Sequence, residues 1–134
     1  MIPFTIRLGL DLAEVDRIGR AVERWGETFL ERIFNAGEIE RRRRHPAAFA
    51  QHVAGRFAAK EAAMKALGTG FRGLSFREIV VAREPSGKPT VRFQGRARER
   101  ADSLGVASAE LTITHTERTA AAVVLLVCAR AANS

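Results

Sequence analysis

Apolar and polar positions alternate over residues 5–11, placing Ile6, Leu8 and Leu10 on one side. That period of two predicts a strand ending at Asp11. The pattern turns helical over residues 13–25, where Val15, Ile18 and Val22 form a stripe and Gly26 reads as a stop. Phe29, Leu30, Ile33 and Phe34 predict a second short helix, broken by Asn35-Ala36-Gly37, and residues 38–44 suit a further helical turn. Pro46 then opens a long helix, where its missing N–H does no harm, and Gly68 closes it as the C-terminal cap. Residues 68–73 read as a glycine-rich loop. Residues 76–83 and 90–94 read as strands around the turn 85–89, and residues 96–104 as a polar helix capped by Gly105. Residues 111–114 alternate, 115–118 turn, and 120–128 form a last strand. The order predicts a single α+β domain over residues 1–129, an antiparallel sheet packed with one long and several shorter helices. Residues 130–134 are expected to fray.

Composition narrows the class. A hydrophobic fraction of 46% with 28% charged residues is that of an ordinary globular chain. A single cysteine, Cys128, excludes an internal disulfide framework and a four-cysteine zinc site, which fits a reducing cytoplasm. The start of the chain has no signal-peptide core, and the longest apolar run, 120–129, is far short of the ~20 residues of a membrane helix. The net charge of +7 implies an anionic partner: nucleic acid, a phosphate-rich cofactor or an acidic protein.

The long helix carries the chemistry. At about 100° per residue, Phe49, Val53, Phe57, Met64 and Leu67 make an apolar stripe opposite Ala58, Ala59, Ala62, Ala63 and Ala66, so the helix is packed on more than one side. Lys60 nevertheless falls near the middle of that stripe, flanked by Arg56 and Glu61. Buried charges are costly unless paired or coordinated, so these residues are expected to face a shared polar pocket. Helix geometry alone leaves two readings open, structural ion pairs such as Glu61 with Lys65 at i,i+4, or a site. Asp11, at a strand end, fits a helix N-cap or a ligand equally. Paired with Glu61 it makes a hard oxygen site suited to magnesium, which takes one or two carboxylates beside phosphate and water. The 68–73 loop is no P-loop, because it follows a helix and lacks Gly-Lys-Ser or Gly-Lys-Thr.

Three blocks of the sequence resemble the holo-acyl-carrier-protein synthase family, the small phosphopantetheinyl transferases. They are Gly9-Leu10-Asp11-Leu12-Ala13-Glu14-Val15-Asp16-Arg17-Ile18, Gly55-Arg56-Phe57-Ala58-Ala59-Lys60-Glu61-Ala62, and Thr114-His115-Thr116. Met64-Lys65-Ala66-Leu67-Gly68-Thr69-Gly70 extends the second block, and Gly87-Lys88-Pro89 and the strand over residues 120–127 fit the later pattern. The Arg56–Ala62 stretch is highly specific, the His-Thr pair weak. Arg7 departs from the small residue usual there, which bears on local strand packing.

The resemblance implies a 4′-phosphopantetheinyl transferase-like fold, assembled as a homotrimer with coenzyme A between subunits. It implies magnesium on Asp11 and Glu61, and transfer of phosphopantetheine to a serine of an apo acyl carrier protein, of fatty-acid or polyketide type, releasing adenosine 3′,5′-bisphosphate. Asp11, Glu61, Lys65 and His115 are then the expected catalytic residues. Glu61, a water on the metal and His115 remain alternatives for the base. Arg56, Lys60, Lys65, Lys88 and His115 are expected cofactor contacts, with Gly87, Pro89 and Thr116 lining the site. Arg17, Arg20 and Arg24, at i, i+3 and i+7 of the first helix, form the face on which the acidic carrier is expected to dock. The arginine run 41–44 reads as solvated surface. The rival is a nucleic-acid-binding module, which would need exposed aromatic residues for stacking. Tyrosine is absent and most of the eight phenylalanines fall at core-facing phases.

Overall fold

The structure, a computed structural model, describes residues 3–40, 45–68 and 73–129. The arginine run 41–44, most of the loop 68–73 and the tail 130–134 lie outside the described residues. Strands β1 (Phe4–Glu14), β2 (Ile79–Arg83), β3 (Pro89–Phe93), β4 (Val106–His115) and β5 (Thr119–Ala129) alternate with helices α1 (Val15–Ile33), α2 (Pro46–Leu67) and α3 (Gly95–Ser103). A three-stranded antiparallel sheet has the order β1-β5-β4, and β2 and β3 form a separate hairpin sheet. This is the expected α+β architecture.

Several boundaries differ from the sequence reading. β1 runs three residues past Asp11, so α1 begins at Val15. Gly26, at φ 52° and ψ −130°, kinks α1 into two arms rather than ending it, a backbone state open to glycine. Residues 76–78 wind into a 3-10 turn, and residues 38–40 are not helical. β4 starts five residues early, at Val106, because its small and polar outer residues gave no apolar alternation to read.

Helix α2 lies across the inner face of the larger sheet, and small residues let the backbones approach. A Cβ on Gly9 would fall 1.8 Å from the Ala62 carbonyl oxygen, and one on Gly55 would fall 2.9 Å from Ile113 Cγ2. Helix α2 therefore runs from β4 at one sheet edge, where Gly55 sits, to β1 at the other, beneath Ala62 and Ala66. Its alanine face, Ala58, Ala59, Ala62, Ala63 and Ala66, is buried.

Both ends of α2 are capped as expected. Pro46 stands at the start behind His45, whose Nδ1 accepts from Ala47 N, and Gly68 closes the end at φ 78°. Two guanidiniums complete it: Arg7 Nε donates to Ala66 O at 2.7 Å and Arg100 Nε to Leu67 O at 2.9 Å. These satisfy carbonyls that the helix itself leaves without donors, and place positive charge at its negative end. Arg7, the departure from the family pattern, thus packs as a helix cap.

The inward positions of β1 are Gly9, Asp11 and Ala13. The alternation of Ile6, Leu8 and Leu10 is real but faces away from α2. Together with Leu12 these side chains are 53–64% exposed. They pair in register with Val127, Leu125, Val123 and Ala121 of β5, whose side chains are only partly covered, leaving the outer sheet face broadly apolar.

Candidate active site

The close approach of β1 to α2 brings Asp11 and Glu61 together. Asp11 is 7% exposed. Its Oδ1 accepts from Lys65 Nζ at 2.8 Å, and the same ammonium donates to Leu10 O at 3.1 Å. Among the described residues no N–H donates to its buried Oδ2. Burial first, and then the hydrogen bond and charge of Asp11, push the Glu61 carboxyl from an ordinary 4.5 up to about 7. Two acidic groups this close, the Glu61 proton shared with Asp11, form a site short of positive charge. Among the described residues no group of three or more His, Cys, Asp or Glu is placed to hold a metal. An ion on this pair would complete its shell with water and phosphate oxygens, the donor set magnesium prefers.

Lys60 and Arg56 do not share that pocket. Lys60 is wholly buried, and its Nζ donates to Ile33 O, Glu38 Oε1 and Phe76 O at 2.9 Å each and to Ile79 O at 2.7 Å. Glu38, 5% exposed, also accepts from the main chains of Asn35 and Val81. The pair ties the end of α1 and the start of β2 to α2. Burial lowers the Lys60 ammonium to about 8, against the pull of Glu38. With three protons and four protein acceptors it has no donor left for a phosphate, so its expected cofactor contact is corrected to a structural role. Only proximity in the fold reveals Glu38, which sits 22 residues upstream.

Arg56 points instead to the β4 edge. There a cleft of about 700 Å³ is lined by Arg56, Gly87, Pro89 and His115, all expected, and by His52 and Arg83, which the sequence did not single out. His115 ends β4, and its Nδ1 lies 3.1 Å from Thr116 O. A carbonyl only accepts, so Nδ1 carries a proton in this contact. Thr116 Oγ1 accepts from the main chains of Arg118 and Thr119, closing the β4–β5 hairpin. Lys88, exposed in the turn between β2 and β3, lies 2.8 Å from Glu110 Oε2 on β4. None of Asp11, Glu61 and Lys65 lines this cleft. The expected site residues thus form two groups, at opposite edges of one sheet.

Arg17, Arg20 and Arg24 are all exposed on the first arm of α1. Arg24 stacks over the ring of Trp25 at 4.9 Å, and Trp25 is 55% exposed. A second cleft of about 510 Å³ leads from Arg17 past Phe29 and Phe57 to Glu61. Arg17 of the basic face and Glu61 therefore line one cleft.

The 4′-phosphopantetheinyl transferase superfamily pattern matches residues 7–124. A holo-(acyl-carrier-protein) synthase from Maridesulfovibrio salexigens is 49% identical over 123 residues, covering 90% of this chain and 97% of the relative. One from Koribacter versatilis is 46% identical over 119 residues, 88% of this chain and 94% of the relative. Among solved structures, the Helicobacter pylori synthase in complex with coenzyme A superposes with a TM-score of 0.75 at 32% identity, covering 89% of this chain and 98% of that one. A Plasmodium yoelii acyl carrier protein synthase with ADP bound gives 0.82 at 28% identity, covering 95% and 98%. With its fold and nearly its whole length matched, the chain belongs to the 4′-phosphopantetheinyl transferase superfamily and, within it, to the holo-(acyl-carrier-protein) synthases.

Proposed function

We propose that this enzyme transfers 4′-phosphopantetheine from coenzyme A to a serine of an apo acyl carrier protein, using magnesium held by Asp11 and Glu61. The observation that carries this reading is the buried Asp11 carboxyl held against the Glu61 carboxyl, two acidic groups sharing a hydrogen bond that a cation would replace. When bound, magnesium supplies Lewis-acid neutralisation of the pyrophosphate charge. Lys65 fixes the Asp11 carboxylate and sets an ammonium next to the reacting phosphate. The carrier serine gives up its proton to Glu61, to a water or to His115 as its oxygen bonds to the pantetheine-side phosphorus; the pyrophosphate bond breaks, and adenosine 3′,5′-bisphosphate departs with the bonding pair. Arg17, Arg20 and Arg24 receive the acidic carrier, and the cleft running to Glu61 gives its serine a path.

The two groups of site residues support a cyclic trimer. The carboxylate pair sits at the β1 edge, and the Arg56, Gly87, Pro89 and His115 cleft at the β4 edge. Coenzyme A spans both when the β1 edge of one protomer meets the β4 edge of the next, a head-to-tail contact that closes into a ring. The exposed row Ile6, Leu8, Leu10 and Leu12 supplies an apolar surface for that contact. The Helicobacter pylori relative solved with coenzyme A supports the ligand assignment. A cytoplasmic setting suits the one cysteine, Cys128, a buried free thiol. Among the described residues no helix is long and apolar enough to cross a membrane.

Mass spectrometry of an apo carrier incubated with enzyme, coenzyme A and magnesium tests the reading. The carrier gains one phosphopantetheine, and chelation abolishes the gain. An unmodified carrier under those conditions would remove the assignment. Leu8→Glu should convert a sedimenting trimer to monomers and stop transfer. A monomeric, fully active variant would refute the shared site.

A further inference from the structure

Among the polar side chains lining the cleft at the β4 edge, His52 has no part in the proposed reaction. His52 lies one turn before Arg56 on α2, so the two side chains share a helix face. His52 Nε2 accepts from Arg56 Nε at 3.3 Å. The same nitrogen accepts from the main-chain N–H of Glu40 at 3.2 Å. An imidazole nitrogen can accept only through its lone pair, so this ring is neutral, with its proton on Nδ1. The Glu40 bond pins the ring from a different part of the chain, the segment that crosses from α1 to α2.

A guanidinium recognises phosphate through a planar fork of N–H donors, and the plane decides which pair of oxygens it can meet. Engaging Nε at one end fixes that plane. Arg56 is 6% exposed, and the ring that holds it is half-buried and lines the same cleft. Across the cleft, Arg83 is also held, with Nη1 donating to Gly87 O at 3.1 Å. Both arginines of the cleft are therefore oriented by neighbours that line it with them.

We propose that His52 is a positioning residue for the nucleotide end of coenzyme A, setting the guanidinium plane of Arg56 toward its phosphates. The proposal rests on the reading of this cleft as the coenzyme A site. Its function follows from an acceptor at the right place rather than from imidazole chemistry, so a carboxamide oxygen should replace it and a hydrocarbon should not.

Titration calorimetry with coenzyme A and with adenosine 3′,5′-bisphosphate on the assembled enzyme tests this. For His52→Phe, the dissociation constant of both ligands should rise about tenfold, the scale expected when a hydrogen bond orienting a charged group is lost. KM for coenzyme A should follow it, while KM for the carrier and kcat at saturating coenzyme A change less. His52→Gln should restore most of the affinity. If His52→Phe fails to fold, His52→Leu and His52→Gln carry the same comparison, with thermal midpoints measured for each. Wild-type affinity in the hydrocarbon variant overturns the proposal, and so does a carboxamide variant as damaged as the hydrocarbon one. Arg56→Ala separates the two levels. If it binds coenzyme A normally, the cleft reading itself fails. If it weakens binding while His52→Phe does not, only the positioning role fails. When both hold, His52→Phe adds little in the Arg56→Ala background, because its effect runs through that guanidinium.

Discussion

Lys60 and Glu61 are neighbours on one helix and live in opposite electrostatic worlds. Lys60 points inward to a carboxylate and three carbonyls, so that every proton it carries has an acceptor. Glu61, rotated about 100° away, meets another carboxylate, and burial together with that neighbour makes it hold its proton to about pH 7. The satisfied charge works for the fold and is closed to ligands. The other, held against a like charge, weakens the fold locally as it ionises, and it is the site proposed to take a cation. Buried charge is thus a poor guide to function until its partners are counted.

Four substitutions or titrations break or sharpen this contrast. Lys60→Met leaves Glu38 buried without its counter-charge and should destabilise the enzyme by about 3–5 kcal/mol in urea unfolding. Adding Glu38→Gln should recover part of that loss, and full additivity would contradict a coupled pair. Glu61→Gln should do the reverse, lowering transfer at least about a hundredfold while the thermal midpoint holds or rises, because a like-charge contact is gone. A marked loss of stability there would show that Glu61 is structural after all.

The third test uses pH. Between pH 4.5 and about 7 the folded chain keeps a proton on Glu61 that the unfolded chain has released. The folded state binds more protons in that window, so the contribution of Glu61 to stability is present below it and declines as pH rises through it. In the proposed function magnesium would displace that proton and offset the loss, so its effect on the thermal midpoint should be larger at pH 8 than at pH 5. An equal shift at both would place the metal elsewhere. The smallest effect belongs to the surface. Arg24→Glu should raise KM for the carrier several-fold and leave KM for coenzyme A nearly unchanged, measured in steady-state assays.

Local signals carried most of the fold. Pro46 and Gly68 marked α2 to the residue, and the alternation of Ile6, Leu8 and Leu10 marked β1. Which side of β1 faced inward was not legible, since an apolar stripe reads the same against a core and against another protomer. Asp11 meets Glu61 only because a strand lies tightly on a helix, a contact between residues 50 positions apart that no periodicity encodes. Gly9 and the alanine face of α2 were its one trace in the sequence, and the family resemblance supplied the rest. Lys60 was misplaced for a related reason. A helical wheel finds a charge in an apolar stripe but cannot see Glu38 arriving from another segment. His52 and Arg83 entered the cleft unannounced, because nothing in their own sequence surroundings separates them from solvated surface.

The contact at Gly9 also gives the molecule a tolerance, in the machinist's sense. One added methyl would collide with the Ala62 carbonyl, and the strand would have to lift from the helix to make room. Asp11 rides on that strand two residues on, and Glu61 sits beside Ala62, so the lift would widen the gap between the two carboxyl groups. Magnesium holds its oxygens at about 2.0–2.1 Å, whereas calcium accepts 2.3–2.6 Å. On the proposed magnesium site, Gly9→Ala should therefore weaken the smaller ion before the larger, a shift that titration with each metal would read.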